Sequence, residues 1–169
     1  MLTVFYDAPL AVQIHAISAL IALLLGPFVI FRKKRDWLHK RLGYIWVTEM
    51  VSAAVSSFWI TSPFGLIGPF SPIHALSVWA LWTVWTAVGH ARAGRIGQHS
   101  AELKGLYFYG VGIASTLTLL PGRRLNAILF GENEVLGLWA MGAIAGLAAL
   151  VILHNRTGVF SLVKRGELR

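Results

Sequence analysis

Six histidines, and one carboxylate placed inside apolar sequence, are the side chains best suited to chemistry in this chain. His15 interrupts "AVQIHAISALIALLLGPFVIF" and His74 stands in "SPIHALSVWALW". His39 lies in "RKKRDWLHKR" and His99 in "GRIGQHSAELKG", while His90 closes the run that His74 opens and His154 closes the last one. An imidazole can ligate a metal or haem iron, carry a proton, or make a structural hydrogen bond. In lipid it must face the protein interior, because an unpaired polar ring is costly there. His39, His90, His99 and His154 adjoin basic residues, where a polar anchor or a helix-end cap also explains them. The carboxylate is Glu49, in "GYIWVTEMVSAAVSSFW". Ser52 and Ser56 follow it at i+3 and i+7 and share its helix face. That stripe predicts an inward-facing proton or ligand site, or a neutral Glu bonded to hydroxyls.

The elements that must position these groups belong to a membrane protein. The chain has 169 residues, 56% of them hydrophobic and 13% charged, with a mean hydropathy of +0.66. A soluble domain is nearer a quarter charged. There is no cysteine, which excludes disulfides, thiolate ligands, covalent c-type haem and cysteine nucleophiles. The net charge is +8, but most basic residues flank apolar runs, where they set topology. No nucleic-acid partner is expected. The first six residues carry no Lys or Arg, so no secretory signal is read and the first apolar run is expected to remain.

Five apolar segments are read, at about 10–31, 43–61, 73–90, 104–121 and 135–153. Each approaches the ~20 residues that cross a bilayer as a helix. The expected fold is all-α: a single integral membrane domain over 1–169, with a four-helix core at about 10–121 and a peripheral fifth helix. The fourth segment has the weakest signal, because its start borrows the polar "SAELK". Arg32, Lys33, Lys34, Arg35, Lys40 and Arg41 fill the first connection, and Arg92, Arg95 and Lys104 the third. Arg156, Lys164, Arg165 and Arg169 fill the tail, which leaves only Arg123 and Arg124 on the other side. The positive-inside rule then places the amino terminus outside and the carboxyl terminus in the cytoplasm of a bacterial inner membrane. "RRLNAILF", before the fifth segment, is suited to lying flat on the bilayer surface as a short amphipathic turn. Gly142 and Gly146 in the fifth segment form a GxxxG pair, suited to packing on the core or to oligomerisation. Trp79, Trp82 and Trp85 recur every third residue, as packing or lipid-facing bulk, or as a wall for a flat cofactor. Trp37, Trp46 and Trp59 fall near segment ends and suit an interfacial belt.

On this topology the first and third segments supply His15 and His74 near the outer face. The second and fourth supply His39 and His99 near the inner face. Alternate helices of a four-helix bundle lie diagonally across its core, where axial haem ligands are built. Two haems b, or one at His15 and His74, are therefore expected, with a quinone or a redox protein as partner.

The order of motifs resembles a known family. "IHAISALIALLLGP", "LHKRLGYIWV", "SPIHALSVWALW" and "GQHSAELKGLYFYGVGIASTLTLLPGRR" together look like a family of small bacterial polytopic membrane proteins of unknown function, usually with about four spans. Its pattern implies a His and then a Gly in the first helix, a His-Arg-x-x-Gly turn, and a His ahead of the last core helix. The matching residues are His15, Gly26, His39, Gly43 and His99, with Lys40 in the Arg position of the turn. The resemblance covers about 10–130 and leaves the fifth helix outside. The chain is also similar, more weakly, to the ascorbate-reducible transmembrane cytochromes b, which hold two haems between alternate helices. That similarity implies haem ligation by the same histidine pairs. His39 and His99, close to charged loops, depart from it by leaving an inner haem exposed.

Three functional classes follow. One is a membrane cytochrome passing electrons. Another is a non-haem transporter or metal or ligand binder using Glu49 and the outer histidines. The last is a structural subunit of a larger complex. A soluble-type enzyme is not expected, since no nucleotide fingerprint, P-loop, HExxH or GxSxG occurs.

Overall fold

The structure, a computed structural model, describes residues 6–32, 34–60, 72–147 and 150. The connection at 61–71, His154 and the basic tail lie outside the described residues. Regular structure among the described residues is helical, with no strand. Helix α1 is Leu10–Ile30. Helix α2 is Trp37–Ser56, followed by a 3-10 turn at Ser57–Trp59. Helix α3 is Pro72–Arg92. Helix α4 is Ile96–Gly105, and it winds on through a π-helical stretch, Leu106–Gly112, into α5 at Ile113–Leu117. Helices α6 and α7 are Arg124–Phe130 and Val135–Leu147. The described residues fall into two compact units that divide between Ser115 and Thr116.

The expected fourth segment starts at Ile96, not at residue 104. "SAELK" is built from good helix formers, and Leu103 is the residue of α4 that reaches the core. By length and apolar composition, α1 is the described helix that can cross a bilayer unaided. Helices α2 and α3 match its length, at 20 and 21 residues, but carry more polar side chains.

In the first unit, α1 packs on α2 and on the π-helical stretch, and α3 packs on α2 and on α4. The four elements form a ring in which α1 and α3 occupy opposite corners. Close approach of α1 to α2 has a sequence cause. The buried face of α1 is Ser18, Ala22, Gly26 and Val29, a small-residue stripe at helical spacing that lets backbones meet. The core is rich in alanine, with Ala22, Ala54, Ala80 and Ala87 around Trp46, Met50, Leu103 and Leu106. Large apolar side chains turn outward instead: Phe28 is 69% exposed and Trp85 76%. Such a surface is far beyond the apolar patch a soluble monomer shows, and it is what a hydrocarbon solvent requires.

Trp46 corrects the expectation of an interfacial residue. It is fully buried, and its Nε1–H donates to the Ala22 carbonyl at 2.9 Å. Tyr107, on the π-helical stretch, donates its hydroxyl to the Leu23 carbonyl at 3.0 Å. Pro27 lies inside α1 and has no N–H, so the Leu23 carbonyl loses its i+4 helical donor. The Tyr107 hydroxyl replaces that donor. Tyr107→Phe should therefore cost about 1–3 kcal/mol, the desolvation penalty of an orphaned carbonyl. In a Pro27→Ala background, where residue 27 regains its N–H, the cost should fall below about 1 kcal/mol. Denaturation of the four proteins of this cycle in detergent checks it, and an undiminished cost in the Pro27→Ala background contradicts it.

Loop ends are set locally. Asp36 caps α2 by accepting the His39 N–H at 3.0 Å, and it pairs with Arg32 at 2.6 Å. The Arg32 guanidinium and then that N–H hold the Asp36 carboxyl down at about 2. Helix α3 ends at Arg92, and Gly94 just beyond it, with a φ of +75°, suits the left-handed closing residue of a helix.

In the second unit, "RRLNAILF" forms α6, which meets α7 at 99°. Asn126 is fully buried and donates through Nδ2 to the carbonyls of Leu119 at 2.5 Å and Glu134 at 2.9 Å. These bonds tie the two ends of the bend together. A β-carbon at Gly142 or Gly146 would meet nothing within 4 Å among the described residues.

Candidate functional site

Two polar layers interrupt the apolar core of the first unit, one at each end. The first lies where α1 begins and α2 ends. His15 sets its Nδ1 2.8 Å from the Ala53 carbonyl, and Ser18 donates to Ser52 at 3.0 Å. Ser56 donates to the Ser52 carbonyl at 2.7 Å, and Ser57 and Ser77 share a hydrogen bond of 2.6 Å between α2's end and α3. Ser57 donates its hydroxyl at 2.7 Å to the Ala54 carbonyl, one of the last carbonyls of α2, which lack partners within the helix. His15 adds a second bond to the Ala53 carbonyl, which also accepts the Ser57 N–H. His74 is buried at 6% exposure, with its ring tilted against Phe58 at 5.7 Å.

The sequence stripe Glu49, Ser52 and Ser56 divides. Ser52 and Ser56 join the hydrogen-bonded layer, with Ser56 buried. Glu49 stays half-buried, outside that set of bonds. A groove of about 320 Å³ runs between the start of α1 and the end of α2, lined by Leu10, Ala11, Ile14, Val55 and Trp59 with the two serines.

The second layer lies at the basic end. His99, within α4, sets its Nδ1 2.9 Å from the Ala87 carbonyl of α3. His39 lies in the first turn of α2, and its Nδ1 is buried without a hydrogen-bond partner among the described residues. Burial, and then the neighbouring His99, pushes the His39 imidazole below its ordinary pKa. His90 joins this layer through Arg95, whose Nε lies 2.8 Å from its Nδ1, and through Glu102, whose Oε1 lies 3.2 Å from its Nε2.

Each histidine pair is thus divided between elements at opposite corners of the ring, His15 and His74 on α1 and α3, His39 and His99 on α2 and α4. His15 and His99 each engage a backbone carbonyl through Nδ1, a bond that requires the proton on that nitrogen. In the neutral ring the other nitrogen, Nε2, is then the acceptor and could take a ligand. Among the described residues no group of three or more His, Asp or Glu side chains converges as a metal chelate. Trp79, Trp82 and Trp85 turn outward, the last two most fully.

Sequence reasoning missed Ser18, Ser57 and Ser77 in the first layer and the hydrogen bonds of Trp46 and Tyr107 to α1 carbonyls between the layers. A small-residue stripe on α1 and a proline in need of a donor were the available signals.

No curated protein and no solved structure matches the chain. The family described as "Predicted membrane protein (DUF2306)" matches residues 12–155. The match takes in the fifth helix, which the sequence resemblance had left outside. An apolar exterior, an alanine-rich interior and a family match over most of the sequence agree: the chain belongs to this family of membrane proteins.

Proposed function

We propose that the chain is a five-span electron-transfer protein of the bacterial inner membrane, with its amino terminus outside, and that it carries haem b. His15 and His74 would hold the iron at one end, and His39 and His99 a second haem at the basic end. One observation carries this reading. His15 and His99 are both oriented by an Nδ1–H bond to a main-chain carbonyl, the support that metal-ligating histidines characteristically have. The orphaned Nδ1 of His39 supports it further, because a buried nitrogen without a partner costs about 1–3 kcal/mol unless something engages it. When bound, haem supplies one-electron chemistry. The residues' part is to present neutral imidazoles, exclude water and fix the distance between α1 and α3. A quinone or a redox protein would exchange electrons with it, and the fifth helix would carry any oligomer contact.

The test is substitution of the first pair. His15→Ala and His74→Ala should each abolish the reduced α-band contributed by that site, and His39→Ala should leave the band in place. Wild-type spectra from both His15→Ala and His74→Ala would sink the assignment.

A second reading rests on Glu49. It is a half-buried carboxylate in the middle of α2, and such a group within a span marks a proton or ligand site by default. With Ser52 and Ser56 it would serve a non-haem transporter. Glu49→Gln should then abolish proton-coupled uptake while leaving any haem spectrum unchanged.

A further inference from the structure

The turn between α3 and α4 carries a charged network that electron transfer does not use. Its centre is the His90 ring. Arg95 Nε donates to His90 Nδ1 at 2.8 Å, so that nitrogen is an acceptor and carries no proton. His90 Nε2 therefore holds the ring's proton and points it at Glu102 Oε1, 3.2 Å away. Thr86 donates to the other oxygen, Oε2, at 3.0 Å. A neutral ring thus bridges a guanidinium on the turn and a carboxylate on α4.

We propose that His90 is a pH-sensitive latch: neutral, it binds Arg95 to Glu102 across the α3–α4 turn, and protonated, it releases Arg95. The proton arrives from water at Nδ1, the one ring nitrogen that accepts. It meets the Arg95 N–H, so donor faces donor and cation faces cation, and the Arg95 bond breaks. The Glu102 bond survives, because an imidazolium still donates through Nε2 to the carboxylate. Acidification therefore frees one side of the bridge and keeps the other. Histidine is the side chain that changes charge near physiological pH.

The freed residue matters to the fold. Arg95 follows Gly94 in the turn, its backbone N–H donates to the His90 carbonyl at 2.9 Å, and its carbonyl accepts the His99 N–H at 3.1 Å. Its side chain closes a second link over the same turn. Other titratable groups at this end, among the described residues, are Arg92 on α3, His99 and Lys104 on α4, His39, Lys40 and Arg41 on α2, and Arg32, Lys34, Arg35 and Asp36 just before α2. Among the described residues none of them bonds to the His90 ring, which leaves Arg95 and Glu102 as its two charged partners. The latch stands whether or not the chain binds haem.

Hydrogen exchange of the amides at residues 93–96, in the full-length protein in nanodiscs at pH 8 and pH 5.5, tests the proposal after correction for intrinsic exchange. Wild type should exchange about three- to tenfold faster at pH 5.5, the effect of losing one hydrogen bond at this site. His90→Gln can donate to Glu102 and accept from Arg95 without titrating, so it should show equal protection at both values. Arg95→Ala has no latch to release and should exchange fast at both. Equal wild-type protection at pH 8 and pH 5.5 would overturn the proposal. So would the wild-type pH dependence persisting in Arg95→Ala, which keeps the test decisive if His90→Gln fails to fold.

Discussion

Trp46→Ala should destabilise the protein by about 3 kcal/mol, from a cavity cost of ~24 cal/mol per Å³ left unfilled. In a membrane the unfolded reference also sits in lipid, so little of the usual transfer energy is at stake. What is lost is packing. Trp46 is the largest fully buried side chain among the described residues, and it sits in a core cluster rich in alanine, whose short side chains do little to fill the space. The Ala22 carbonyl that accepts its indole N–H lies within α1 and has the Gly26 N–H as its helical donor, so the lost hydrogen bond adds little. Trp46→Phe should recover more than half of the loss. Unfolding in mixed micelles, followed by helix signal, measures both, and a loss below about 1 kcal/mol for Trp46→Ala would show that this residue does not fill the core.

Gly26→Ala should cost about 2–4 kcal/mol despite adding one methyl group. A β-carbon at Gly26 would overlap the Tyr107 ring and come 3.1 Å from Trp46 Nε1. The Tyr107 ring can swing away only by giving up the Leu23 carbonyl, which Pro27 has left without its helical donor. Overpacking of about 1–3 kcal/mol and an orphaned carbonyl of about 1–3 kcal/mol are then incurred together, with some relief as the ring relaxes. Coupling identifies the cause. In a Tyr107→Ala background the added methyl has room, so Gly26→Ala should cost less than about 1 kcal/mol there. Equal cost in both backgrounds would place the damage elsewhere on α1.

Composition made the membrane class legible, and apolar runs located α1 and α3 closely, at Leu10–Ile30 and Pro72–Arg92. The start of α4 was not legible, because "IGQHSAELKG" helps to form the basic end and lacks the apolarity used to find it. The histidines drew attention as polar atoms in apolar sequence. The serines did not, since a hydroxyl hides easily in a helix by bonding to its own backbone, as Ser56 does. The pairing of Tyr107 with Leu23 joins residues 84 apart in sequence. Pro27 announces that a carbonyl needs a donor, but not where the donor lies along the chain. Trp46 read as interfacial because aromatic residues near a segment end usually are. The observed α2 begins at Trp37, which moves Trp46 from the end of a span to the middle of a helix.

The most direct test of the proposed function is the reduced-minus-oxidised optical spectrum of the purified wild-type protein, produced in haem-replete cells, with haem quantified per chain. The account predicts a sharp α-band and a shifted Soret band, with two haems per chain when both histidine pairs are loaded and one when only His15 and His74 serve. A featureless spectrum from folded protein would contradict it and leave Glu49 as the group to pursue.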